Sequence, residues 1–241
     1  MLGISLEFLT NWGLRLAITS PVIMVFGLGL FRLGMSDFLL PLGMIAMATL
    51  LALVALLFSA LALLGGLFGE GLPVQRALIG LAVALAVVIV PLSGLRKLTS
   101  VPVIHDITTD TDNPPLFQHV GSLRADGDDR LAIDPEVIAQ QKAFYVDILP
   151  LQVETGLSET FARAVLMAES TGWEVVASDP ASGHIEAVDT TAFFGFKDDV
   201  VIRLSAIEGG TRIDMRSASR VGESDLGANA ARIQAFLADM Q

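Results

Sequence analysis

The sequence predicts an α-helical transmembrane region of three helices followed by a soluble α+β domain, a four-stranded antiparallel sheet with helices packed on one face. Three observations lead there. Charge is unevenly divided: residues 1–100 carry five Lys/Arg and three Asp/Glu, whereas residues 101–241 carry ten and 23. Between Leu33 and Gln75 there is no Lys or Arg, and only Asp37 and Glu70 are charged. Beyond residue 100 the long apolar runs give way to period-two alternation, as in Val200-Ile202-Leu204 and Ile213-Met215, which marks half-buried strands. The division therefore falls between an anchor at 1–99 and a domain at 100–241.

In the anchor, Phe38 to Leu64 is a continuous apolar run, long enough at 1.5 Å per residue to cross a hydrocarbon core of about 30 Å with tilt. Ala77 to Leu95 is a second uncharged run, with Pro91 near its end. The third span, Leu16 to Phe31, is bracketed by Arg15 and Arg32, whose long stems reach the interfaces, and it tolerates Pro21 near one end. An interfacial helix starting at Glu7-Phe8-Trp12 is the alternative for this first segment. No basic leader precedes Arg15, so the segment reads as an uncleaved anchor. No ionisable residue lies mid-span, which argues against a transporter or proton relay. Gly65 with Gly69, and Gly80 with Ala84, have the spacing that lets helices approach closely. Three spans place the termini on opposite sides. Arg15 and Arg76 on one side against Arg32, Arg96 and Lys97 on the other lean by one charge toward a cytoplasmic domain.

Composition excludes some chemistry. The chain has no cysteine, hence no disulfide, thiol nucleophile or thiolate metal site. The acidic domain repels nucleic acid, so no nucleic-acid partner is expected. No cofactor is expected either, since no phosphate loop, dinucleotide fingerprint or Gly-x-Ser-x-Gly elbow occurs.

The domain begins with a proline-marked segment, Val101 to Phe117. Here His105, Asp106 and Asp110, with Asp112, are weak candidates for a hard cation, although no coordination template fits them. The later string ADGDDRLAIDPE fails calcium-loop spacing, with Leu131 where the mid-loop glycine is required. Pro135 to Val146 predicts a short helix. A second helix is capped by Ser158, carries Phe161, Val165 and Ala168 on one side, and ends at Gly172. Trp173 to Ser178 and His184 to Phe194 are strands around a DPASG turn.

A hairpin follows. A two-residue loop at Gly209-Gly210 sets Arg203 opposite Arg216 and Asp199 opposite Arg220. One face then carries Val200, Ile202, Leu204, Ala206, Ile213 and Met215. The other carries Asp199, Arg203, Asp214, Arg216 and Arg220, as a polar network or an anion site. Ser224-Asp225 caps a last helix with Leu226, Ala230, Ile233, Leu237 and Met240 as its apolar stripe, and with Asn229 and Arg232 on another side.

The motifs PVIHDITTD, YVDILPL, GWEVVASDP, IEAVDTTAFFGFKDDVVIR and IDMRSASRVGESDLGANAARI, in this order, resemble the bacterial and plastid family known as domain of unknown function 1499 (DUF1499). The resemblance covers about residues 100–240. Where the family's motif reads Tyr-Pro-Asp, this chain has Tyr145-Val146-Asp147. The resemblance implies an extracytoplasmic domain behind a membrane leader, hence a multi-pass protein of the bacterial inner membrane with a periplasmic domain; it implies no activity.

The reading that follows is a membrane-anchored binding or accessory module. Its ligand-binding candidates are Asp199, Arg203, Asp214, Arg216, Arg220, Asn229 and Arg232. Its partners are the lipid bilayer and an unknown small molecule or membrane protein. A hydrolase-type enzyme using an Asp/Arg site, or a purely structural partner of another membrane protein, are the alternatives. The three histidines, His105, His119 and His184, are scattered in the sequence and suggest no catalytic constellation.

Overall fold

The computed structural model describes residues 5–66, 74–124 and 131–241, leaving aside the side chains of 95–98. The chain divides into two units, Met1–Arg96 and Lys97–Gln241.

The first unit is three helices, α1 (Leu6–Arg32), α2 (Leu39–Gly66) and α3 (Val74–Ser100). All three include stretches long and apolar enough to cross a membrane. Helix α1 starts ten residues before the expected span, because Ser5 caps it by accepting a hydrogen bond from the N–H of Phe8 at 3.1 Å. The expected span and the alternative interfacial segment are thus one helix, running through Pro21. Asp37 caps α2 in the same way, accepting from the N–H groups of Leu39 and Leu40.

Small residues line the packed sides: Gly13, Ala17 and Ser20 on α1, Ala48, Ala52, Ala55, Ser59 and Ala62 on α2, and Ala77, Gly80 and Ala84 on α3. A Cβ on Gly13 would lie 2.9 Å from the Ser59 hydroxyl, and one on Gly80 would lie 2.7 Å from it. The three helices therefore cross at Ser59, where only residues of this size fit. Gly65 faces Leu6; Gly69 and Glu70 lie outside the described residues.

The second unit is built on a six-stranded antiparallel sheet, two strands more than the sequence suggests. Its strands are β1 (Asp106–Thr108), β2 (Leu151–Val153), β3 (Glu174–Asp179), β4 (His184–Thr190), β5 (Lys197–Ile207) and β6 (Gly210–Ser219), and its helices α4 (Pro135–Phe144), α5 (Leu157–Ser170) and α6 (Ala228–Asp239). The order is β1-β6-β5-β4-β3. The long β6 shares its remaining edge between β1, at Arg216–Ala218, and β2, at Thr211–Ile213. Strands of three residues show no legible alternation; the edge they occupy defines them. Gln141 of α4 finishes the β1 margin by pairing with the N–H and carbonyl of Thr108.

The β5–β6 loop is Glu208-Gly209, so that Ile207 pairs with Gly210 and Arg203 with Asp214. The register is thus displaced by two residues from the expected one. Because side chains alternate with period two, every residue nonetheless keeps its expected face. The cause is the pair of glycines. Gly209 takes the left-handed turn position at φ +81°, while a Cβ on Gly210 would run into the Val153 carbonyl of β2. Gly210 is needed inside the strand, where β2 comes closest.

One sheet face carries Ile185, Val200, Ile202, Leu204, Ile213 and Met215, buried against Phe161, Ala164 and Ala168 of α5 and Ala230, Ile233 and Phe236 of α6. Burying each large apolar side chain contributes roughly 1.5–3 kcal/mol. Trp173 stacks on Phe236 at a centroid separation of 5.3 Å. Helix α5 begins one residue before Ser158, with Gly156 at the cap position; the hydroxyls of Thr155 and Thr160 meet there at 2.8 Å instead. Helix α6 starts later than expected, with Gly227 at the cap position (φ +80°) and Leu226 ahead of it in the left-handed region at φ +54°, because the Asp225 carboxylate accepts from the N–H groups of Gly227 and Asn229 across this turn.

Candidate functional site

Alternation on β4, β5 and β6 directs a second set of side chains away from α5 and α6: His184, Glu186, Asp199, Arg203, Asp214 and Arg216. Residues 109–124 cover this face. Among the described residues, each arginine of this face meets a carboxylate.

Asp199, fully buried, lies between Arg124 (Nε–Oδ2 2.7 Å) and Arg220 (Nη2–Oδ1 2.7 Å). Asp199 pairs across the strands with Ala218, so Arg220 reaches it diagonally. Arg216 is buried too. It meets Asp106 at 2.6 Å, donates to the Leu131 carbonyl and lies 5.1 Å from the centre of the Phe117 ring. Asp214 accepts from Arg203 and Arg212, at 3.1 and 3.0 Å, and Asp110 bridges the same two arginines. Charges buried this deeply persist only when paired and hydrogen-bonded.

Asn229 and Arg232 belong elsewhere. They sit on α6 against the opposite face of the sheet, beside Asp198, Ser217 and Ser219. Arg232 holds Asp198 at 2.6 Å and Asp189 at 2.7 Å, and also donates to Ser217 and to the Asn229 carbonyl oxygen. Asn229 in turn donates to Ser219 and to the carbonyl of His105. The sheet therefore separates the seven predicted ligand-binding residues into two clusters. Beside Arg232 a shallow hollow of about 290 Å³ is lined by Trp173, Phe236, Thr171, Asp189 and Asp239.

The suggested cation ligands do not converge either. Asp106 and Asp110 are engaged by arginines, Asp110 also caps the turn at Asp112 and Asn113, and His105 contributes its carbonyl to β6 and α6. Of the calcium-like string, residues 125–130 lie outside the described residues, and Asp134 caps α4.

Two of the histidines that are scattered in the sequence come together in the fold. His184 and Glu186 are neighbours on one face of β4, and the loop before a 3-10 turn (Val120–Leu123) brings His119 to them. Glu186 is completely buried. Its carboxylate accepts from the N–H groups of Gln118, His119 and Val120, and His184 Nε2 lies 2.7 Å away. Burial by itself pushes this carboxyl up; the hydrogen bond with His184 and those from Val120, Gln118 and His119 outweigh it, bringing the pKa down to about 2. The His-x-Glu spacing on a strand was the legible half of this cluster; Arg124, Arg212 and His119 gave no comparable signal.

A family model described as protein of unknown function (DUF1499) matches residues 106–240, from the first residue of β1 to beyond the end of α6. The chain belongs to the DUF1499 family. Both charged clusters and the His119–His184–Glu186 group lie inside the DUF1499 span. No curated protein matches the chain.

Proposed function

We propose that this DUF1499 protein is a membrane-anchored accessory protein whose C-terminal domain is held outside the cytoplasm of a bacterial inner membrane, where it binds a small molecule or a membrane-protein partner. The observation that carries the reading is the sequence of three long apolar helices leading directly into a separate α+β unit. An odd number of spans sets the termini on opposite sides. The family resemblance is the support for the extracytoplasmic side, against the one-charge lean of the flanking arginines and lysine.

Two features support binding. Arg203 and Arg212 are the partly exposed end of the charged face, with side chains 26% and 35% exposed, and the hollow beside Arg232 offers an aromatic wall. The internal pairing of Arg124, Arg216 and Arg220 favours a structural role within the domain for the buried part of the ladder.

Fusions of alkaline phosphatase and of a fluorescent protein after Gln241 test the address. Active phosphatase with a dark fluorescent fusion is expected; fluorescent, phosphatase-silent cells would reverse it.

A further inference from the structure

We propose that His119, His184 and Glu186 form a binding site for a divalent transition-metal ion of the zinc class. One ligand atom from each residue lies within 4.8 Å of the other two. His119 Nδ1 is 3.5 Å from Glu186 Oε1, and His184 Nε2 is 2.7 Å from the same oxygen. With metal–ligand bonds of 2.0–2.2 Å, neighbouring donors of a tetrahedral ion stand about 3.3–3.6 Å apart. The first separation already matches. The second is that of a hydrogen bond, and it lengthens when the shared proton gives way to the ion. The ligand nitrogens of the two histidines lie within 4.8 Å of each other, and His119, whose side chain is 53% exposed, is the residue with room to move to close that gap.

The donor set decides the class of ion. Two imidazoles and one carboxylate suit zinc and its neighbours, whereas calcium and magnesium require mainly oxygen ligands. The surroundings are those of a held ligand. Glu186 Oε2 is fixed by the N–H groups of His119 and Val120, while Oε1 accepts from the Gln118 N–H and, more weakly, from that of His119 and also faces the two rings. Such outer hydrogen bonds orient a coordinating carboxylate. His184 is buried on the strand and sets one side of the site, while exposed His119 provides entry and leaves a fourth position open to water. Without an ion, the His184–Glu186 hydrogen bond satisfies the carboxylate. Coordination through His184 Nε2 takes the place of its hydrogen bond to Glu186, the ring proton residing on Nδ1, so that the ion's two charges meet one carboxylate and two neutral imidazoles. The site is independent of which side of the membrane the domain occupies.

The test uses the untagged full chain in detergent, stripped with a chelator and then titrated with Zn2+ and with Co2+. A single equivalent of Zn2+ bound per chain is expected, together with the visible absorption of four-coordinate cobalt. His119→Ala, at an exposed ring outside the core, should weaken Zn2+ binding by at least about 10–100-fold. His105→Ala, outside the cluster, should leave binding unchanged. Zn2+ binding by His119→Ala equal to that of the natural chain would overturn the proposal, by assigning the ion to surface carboxylates. Absence of bound metal in the natural chain would overturn it as well, leaving Glu186 as a latch for the covering loop.

Discussion

The two faces of one sheet solve the same problem with opposite chemistry. Under α5 and α6, Ile202, Ile213 and Met215 are excluded from water by apolar neighbours, and burial area is enough to stabilise the arrangement. On the other face Asp199, Glu186 and Arg216 are excluded just as completely, yet are held by directional ion pairs and backbone N–H groups from residues 106–124. An apolar face tolerates a change of shape at moderate cost. A buried charged face tolerates almost no loss of a partner, because each deletion leaves an uncompensated charge in a poorly polarisable setting. The second face therefore specifies how the covering loop docks.

The largest expected effect comes from Asp199→Ala, which strands both Arg124 and Arg220. It should cost about 3–5 kcal/mol, above the roughly 0.5–1.5 kcal/mol of Ile213→Val on the apolar face. Denaturant unfolding followed by Trp173 fluorescence in a Trp12→Phe background reads both. A cycle with Arg220→Ala should show clear coupling despite the diagonal geometry; additive losses would break the contrast between the faces.

An intermediate effect is expected from acid. The folded pKa of Glu186, about 2, lies below its ordinary value of 4.5, so its contribution is complete above about pH 4.5 and disappears as pH falls through about 2. That contribution is on the order of 3 kcal/mol. Unfolding midpoints measured between pH 6 and pH 2 should fall less steeply in Glu186→Gln than in the natural chain, and parallel slopes would remove the carboxylate from the explanation.

The smallest effect is expected at Lys142 and Asp112, a 2.7 Å pair whose side chains are 50% and 87% exposed. Water and salt screen such a pair. Lys142→Ala should leave the unfolding midpoint unchanged, and a displaced midpoint would show that charge on this domain matters even at the surface.

Some of this was legible in the sequence because it depends on period and composition. Uninterrupted apolar runs marked α2 and α3, alternation assigned Val200, Ile202, Asp199 and Arg203 to their correct faces, and the apolar stripe of Ala230, Ile233 and Leu237 marked α6, though not its first residue. These signals are local, and a two-residue displacement of the hairpin does not disturb them. What the tertiary structure decided was partnership. Whether Gly209 or Gly210 enters the turn depends on the approach of Val153, about 57 residues earlier in the chain. Asp106 and Asp110, which looked like cation ligands, meet Arg216 and Arg212 only because β1 docks on β6. His119 reaches His184 and Glu186 because the loop that carries it must satisfy a buried carboxylate with its own N–H groups. Pairings of this kind join groups far apart in the chain, so no local pattern encodes them, and they exist only once the sheet has brought both partners out of water.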